Sequence, residues 1–355
     1  MSIIKIILAI FKRKLLRFKK GRLVFWLLGI FLTLLLIFII VIFTKDFSQD
    51  RQMEWGVTFS KKYATSLKLN WQKTFLDILY DLKADNLRIP IYWDEVEKEP
   101  GVYDFTDYDW MIDTAKLSKA KVVLVLGRRL PRWPECFAPA WTKSLPDSEV
   151  KEKILKLLAE EVKHFKDYDN IWAWQIENEP LLAFFGQCPK PDKEFLKQEI
   201  DLVKNLDSRP VIVTDSGELS GWFRTGKLAD ILGTTMYRVV WNKHLGYMYY
   251  PLPPAYYRYK ADLIQKFNPQ LKNVIISELQ VEPWSEDTSI PLLSLERQFQ
   301  SMGLERMKMN LRFAKATGFN KAYLWGVEWW YWLKTKHDRP EFWQLGKSLW
   351  LDKKN

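Results

Sequence analysis

The sequence predicts a (β/α)8 barrel of the TIM type, preceded by a single membrane-spanning helix. Short apolar runs alternate eight times with segments of helical period between Trp55 and Trp350, with no shift in composition to mark a second domain. An uncharged apolar run of 21 residues, Leu23–Phe43, stands before them. Two of the short runs end in carboxylates, at the strand ends where barrels of this kind carry their working groups. The 355 residues suffice for an anchor and one barrel of roughly 250–300 residues.

The anchor is read from length and charge. Leu23–Phe43 is about as long as a helix needs to be to cross roughly 30 Å of hydrocarbon. Residues 1–22 carry eight basic side chains (Lys5, Lys12, Arg13, Lys14, Arg17, Lys19, Lys20, Arg22) and no acidic one. The positive-inside rule then places the amino terminus in the cytoplasm and the barrel outside, in a single-pass protein of the cell membrane. A cleaved signal peptide is the competing reading, but the run is long for one and no small-x-small site follows it before Lys45. The expected division is a cytoplasmic basic segment (1–22), a transmembrane signal anchor (23–43), a polar linker (44–53) and the barrel (54–355).

Composition excludes other classes. The net charge of +11 suggests nucleic acid, but residues 1–50 hold nine basic and two acidic residues, or +7, leaving +4 for the rest. No nucleic-acid partner is expected. No phosphate loop occurs, and the three histidines are scattered, so neither a metal nor a cofactor is expected. Cys136 and Cys188 are available to pair if the barrel lies outside the cytosol. Eighteen Trp are several times an ordinary share; they suit a well-packed core, and some suit stacking platforms for the flat faces of sugars.

The elements follow in order. Trp55–Ser60 is the first strand, followed by a helix over 65–84 with Leu67, Trp71, Phe75, Ile78, Leu79 and Leu82 on one face. Asn86–Ile91 is the second strand, with Arg88 charged inside an apolar run, which demands a partner. A loop with a Pro100-Gly101 turn and a helix over 107–118 lead to the third strand, Lys121–Gly127. The next loop, Arg128–Trp141, is rich in Pro, Arg and Trp, with Trp133 among them, and reads as a substrate wall. A helix over 147–167, capped by Asp147 or Ser148, precedes the fourth strand, Ile171–Ile176, which Pro180 ends. A helix over 191–206, the fifth strand 210–215 and the sixth strand 230–237 come next. A long aromatic loop from Trp241 to Tyr259, a helix over 255–267, the seventh strand 273–278, a helix over 294–317, the eighth strand 321–325 and a closing helix over 340–350 complete the ring.

The fourth strand ends in Asn178-Glu179-Pro180 and the seventh in Glu278. Breaking a glycosidic bond requires one carboxylic acid to protonate the leaving oxygen and one carboxylate to attack the anomeric carbon or activate water. Strands four and seven lie roughly across a barrel mouth, so their tips suit that division of work. Glu179 is expected to be protonated. Glu278 is expected to be ionised, with Arg88 and the Tyr237 hydroxyl favouring that state. Glu177 is read as facing away from the site. Asp215 and Glu328 are further polar groups near strand ends that could line a subsite.

With Asn178-Glu179-Pro180 on strand four, Glu278 on strand seven, Arg88 on strand two, Tyr237 on strand six and Trp325 on strand eight, residues 54–350 resemble the clan A glycoside hydrolases, which include families 5, 39 and 42. The resemblance implies Glu179 as acid/base, Glu278 as nucleophile, Asn178 on the sugar 2-hydroxyl, Arg88 and Tyr237 holding the nucleophile, and Trp325 as the subsite floor. Trp93, Arg128 and Trp133 complete the expected substrate-binding set. Many family 5 members carry histidines near strands three and six. Gly127-Arg128-Arg129 and Thr235-Met236-Tyr237 have none, and the stretch Trp93-x-x-Val-Glu-x-x-x-Gly-x-Tyr-Asp-Phe is closer in style to families 42 and 39. The expected activity is retaining hydrolysis of β-glycosidic bonds in an extracellular poly- or oligosaccharide. A carbohydrate-binding barrel without activity and a transglycosylase using the same residues are the alternatives.

Overall fold

The computed structural model describes residues 3–242, 244–285 and 289–351, with side chains from residue 23 onward. The basic side chains of the amino-terminal segment lie outside the described residues. Eight parallel strands form a closed barrel: β1 (Glu54–Thr58), β2 (Asn86–Pro90), β3 (Lys121–Leu126), β4 (Ile171–Ile176), β5 (Val211–Asp215), β6 (Ile231–Met236), β9 (Asn273–Gln280) and β10 (Lys321–Trp325). Around the ring the order is β1-β10-β9-β6-β5-β4-β3-β2, so β4 stands opposite β10. A two-stranded antiparallel ribbon, β7 (Val239–Asn242) with β8 (Gly246–Tyr249), rises from the end of β6.

The helices are α1 (Ile3–Thr44), α2 (Lys61–Ser66), α3 (Trp71–Tyr80), α4 (Trp93–Val96), α5 (Thr106–Leu117), α6 (Asp147–Phe165), α7 (Lys193–Leu206), α8 (Phe223–Gly226), α9 (Pro254–Phe267), α10 (Leu295–Ser301), α11 (Leu304–Ala316), α12 (Val327–Lys336) and α13 (Glu341–Leu351). Two expected helices are broken. The 65–84 helix divides because Lys68 takes a left-handed backbone and Asn70 restarts the helix by accepting Lys73 N–H. The 294–317 helix divides at Met302-Gly303, and Ser294 caps its first part. The aromatic loop after the sixth strand contains the ribbon, closed at Gly246 with φ +72°.

The hydrophobic core has two layers. Inside the barrel, Val123, Ala173, Ile212, Ile231, Ile275 and Tyr323 meet. Outside it, strand and helix faces bury a much larger set that includes Trp174, Trp329 and Trp343. Each fully buried large side chain contributes about 1.5–3 kcal/mol relative to exposure. At the lower rim Lys321 closes the barrel, its Nζ 2.7 Å from Glu54 and 2.8 Å from Asn86.

Leu23–Thr44 is long and apolar enough to cross a membrane, and none of it is buried against the rest of the protein. The segment after it is packed rather than loose. Phe47 N donates to Ala316 O at 3.0 Å, its ring meets Tyr259 edge-on at 5.7 Å, and Asp50 pairs with Arg258 at 3.1 Å. The apolar helix therefore joins the barrel where α11 ends and β10 is about to begin.

Candidate active site

Both carboxylate-bearing strand ends depart from strand alternation. On β4, Ala173 and Gln175 point inward, so alternation would also turn Glu177 inward. Glu177 instead adopts a left-handed backbone (φ 56°) and turns out beneath the loop after β3, accepting Arg128 N–H at 2.8 Å and Arg129 N–H at 2.6 Å. Glu179 is left-handed as well (φ 44°), a conformation that costs energy for a non-glycine residue and clusters at functional sites. Glu177 thus faces away as expected, although the cause is this bend rather than alternation. On β9, Ile275 points inward, and simple alternation would send Glu278 outward. The register shifts between Thr234–Ile276 and Thr235–Glu278, a bulge that turns Glu278 into the mouth. The strand then continues to Gln280 instead of ending at Glu278.

Arg88 organises the floor. Its Nη1 donates to Glu278 Oε1 at 3.0 Å and to Thr58 Oγ1 at 3.3 Å, its Nη2 to Asn178 Oδ1 at 2.8 Å, and its Nε to Gln175 Oε1 at 2.7 Å. The partners come from three strands, β1, β4 with its end, and β9, and the guanidinium is buried. The second oxygen of Glu278 accepts the Tyr237 hydroxyl at 2.9 Å. Burial and the neighbouring Glu278 and Glu282 push the Tyr237 phenol well above its usual range, so it stays a donor. Glu218 holds Tyr237 in turn, accepting its backbone N–H at 2.9 Å and the Tyr257 hydroxyl at 2.6 Å.

Glu179 has the opposite surroundings. Its backbone N–H donates to Thr214 Oγ1 at 2.8 Å, and Thr235 Oγ1 lies 3.2 Å from its carboxyl. Burial, together with Glu135, Glu278 and Asp215, pushes its pKa well above the carboxylate range. Glu135 is itself raised to about 7 by burial, against the pull of Arg129, whose Nε lies 3.0 Å away. One carboxyl is therefore held as a proton donor, and the other is presented as an acceptor on both oxygens.

The structure gathers Glu179, Glu278, Asn178, Arg88 and Tyr237 into one site. Trp325 lies beside it, with the Arg132 guanidinium 4.0 Å above its ring centre. Trp133 stands at the rim, 45% exposed, its ring 6.0 Å from Phe185, which continues to Trp284 and so to Tyr237. Three expectations are corrected. Trp93 is a core residue in α4, fully buried, its indole N–H bound to Glu97 at 2.6 Å. Arg128 turns away from the carboxyl pair into a crevice near Asp147, Lys151 and Cys188. Asp215 is spent on its own loop, accepting Ser220 at 2.7 Å and Thr225 at 2.5 Å. Gln175, Thr58, Thr214, Thr235, Glu135 and Glu218 escaped sequence reasoning. Thr58 and Gln175 carried a usable signal as polar residues inside apolar strands. Cys136 and Cys188 are bonded, tying the loop after β3 to the loop after β4. Among the described residues no cluster fit to hold a metal occurs.

No protein-family model matches the chain, and no curated protein matches it. Among solved structures it is similar to xylanase 10B from Thermotoga maritima, at 14% identity and a TM-score of 0.54, over 79% of this chain and 84% of that one. A GH5_18 protein from Bifidobacterium longum matches at 12% identity and a TM-score of 0.56, over 77% and 69%. The endo-β-1,4-mannanase from Thermotoga petrophila matches at 18% identity and a TM-score of 0.51, over 80% and 69%. At these identities the likeness establishes the shared TIM-barrel fold.

Proposed function

We propose that the chain is a retaining glycoside hydrolase that cleaves β-glycosidic bonds of a poly- or oligosaccharide outside the cell, held at the membrane by Leu23–Thr44. The observation that carries this is the contrast between the two carboxyls. Glu278 is gripped by Arg88 and Tyr237, while Glu179 is buried among carboxylates that keep it protonated. In this reading Glu278 attacks the anomeric carbon as Glu179 passes its proton to the leaving oxygen. Water then hydrolyses the glycosyl-enzyme, with Glu179 as base. Asn178, positioned by Arg88, offers its amide to the sugar beside the reacting carbon. The fold shared with the xylanase and the mannanase supports the reading.

The test uses the full chain in detergent with aryl β-glycosides of glucose, galactose, mannose and xylose. Glu278→Ala and Glu179→Ala are each expected to lower turnover by about 10³-fold or more, and the first-formed product is expected to keep the substrate's anomeric configuration. Turnover indifferent to Glu278→Ala removes the nucleophile assignment. Sugar binding without turnover makes the chain a binding barrel.

A further inference from the structure

The loop between β3 and α6 does not simply return to the outer helix layer. Its root is fixed by Glu177, which accepts both Arg128 N–H and Arg129 N–H. Arg129 reaches the carbonyls of Leu182 and Phe185 at 2.7 and 2.9 Å, and Cys136–Cys188 ties the same two loops again. From that root the chain extends to the far side of the mouth. The Tyr92 hydroxyl donates to Pro131 O at 3.0 Å. Arg132, with φ 92° in the left-handed region, then reaches Glu282 beyond β9 and Glu328 on α12, the latter at 3.1 Å. Its guanidinium is sandwiched between the rings of Tyr63 and Trp325, 3.6 and 4.0 Å from their centres. Glu282 also faces the Trp325 indole and the Tyr63 hydroxyl, and Glu328 accepts Ser60 N–H at 2.5 Å. All three charged groups are buried or nearly so. A buried arginine flanked by two carboxylates and two rings is a fixed partition, since moving the guanidinium away leaves two buried carboxylates without their counter-charge.

Where this partition lies decides what enters. Glu179, on β4, protonates the leaving oxygen, so the departing part of the substrate lies on the β4 side. The retained sugar must extend the other way, toward β10 and β1, which stand across the ring. That is where Arg132 sits. Resting on the reading of the site as a glycosidase, we infer that Arg132 closes the glycone end of the cleft and makes the protein exo-acting, removing single sugars from non-reducing ends of β-linked chains. On the leaving-group side the loops after β3 and β4 expose the rings of Trp133 and Phe184, which suit the next sugars of a chain. Arg132 is thus a specificity-determining residue rather than a catalytic one.

The experiment uses the full-length protein in detergent. Aryl β-glycosides first identify the sugar. β-Linked oligosaccharides of that sugar, labelled at the reducing end, are then followed from the first turnovers. The wild type is expected to shorten them by one residue at a time, with no early internal fragments. Arg132→Ala is expected to raise internal cleavage by about tenfold while retaining aryl-glycoside turnover to within about tenfold, and Arg132→Lys to fall between. Thermal melting of both variants checks that they fold. Internal fragments from the wild type overturn the inference while leaving the glycosidase reading intact, as does a well-folded Arg132→Ala that still releases only single sugars. No turnover of any aryl glycoside overturns both.

Discussion

Two buried arginine–carboxylate assemblies stand within one barrel mouth and are used in opposite ways. Arg88 spends three of its four described hydrogen bonds on neutral partners, Gln175, Thr58 and Asn178, and only one on a carboxylate, Glu278. That carboxylate keeps its second oxygen for Tyr237 and a place in the barrel mouth. Arg132 is instead divided between two carboxylates and sealed by two rings. In the proposed reading one arginine supports a single carboxylate left to react, and the other is occupied by two carboxylates and two rings. The difference lies in origin. Arg88 projects from a barrel strand whose register is fixed on both sides by β1 and β3. Arg132 arrives on a loop whose position depends on what it meets.

That contrast can be broken from either side. The largest effect is expected from Arg88→Ala. It leaves Glu278 buried without its cationic partner and Asn178 without its nearest donor, which costs about 3–5 kcal/mol of stability and lowers turnover by about 10²-fold or more. Thermal melting and aryl-glycoside kinetics measure the two. An Arg88→Ala protein as active as the wild type would remove Arg88 from the site.

The loop side is tested by reducing Cys136–Cys188, which close a loop of 52 residues of sequence separation. Chain entropy assigns this bond about 4 kcal/mol, so reduction is expected to lower the melting temperature markedly. The β2, β4 and β9 geometry around Arg88 contains neither cysteine, so below the new midpoint aryl-glycoside turnover is expected to survive. If turnover vanishes in reduced but folded protein, the loop and the catalytic floor are one unit.

The smallest effect sharpens the role of Glu179. A raised carboxyl pKa keeps the proton at working pH, and activity is lost as pH rises through the folded value. Glu135 helps to hold that value up, and its own pKa of about 7 means that it gains charge as the solution becomes basic. Glu135→Gln removes the like charge, so the alkaline limb of kcat/KM is expected to move to lower pH by roughly half a unit to one unit. A limb that stays in place excludes Glu135 from the proton's surroundings.

Much of the fold was legible because it is written in periodicity. All eight barrel strands fall within two residues of their expected bounds, Ile171–Ile176 and Lys321–Trp325 exactly as expected in both ends. What was illegible depends on contacts distant in sequence. Nothing local announces the bulge that turns Glu278 inward, since it is set by pairing with both β6 and β10. Trp93 looked like a platform because a Trp in a polar loop resembles one, but its indole is satisfied by Glu97 four residues on, beneath the surface. Arg132 was passed over inside a run of similar residues. Its role emerges only where Glu282 and Glu328 meet it, 150 and 196 residues away in sequence.

The clasp of Phe47 and Asp50 onto α9 and α11 concerns supply rather than chemistry. A catalyst on a slack leash sweeps a wide shell around its point of attachment, and its reach grows with the leash. Here the leash is all but absent, because Phe47 is clasped three residues after the anchor helix ends at Thr44. In the proposed reading, with Leu23–Thr44 in a bilayer, this clasp limits how far the mouth, on the face of the barrel away from the attachment, can swing. On the exo-acting reading proposed above, polymer ends would have to be delivered to that layer, and throughput would follow how densely they populate it.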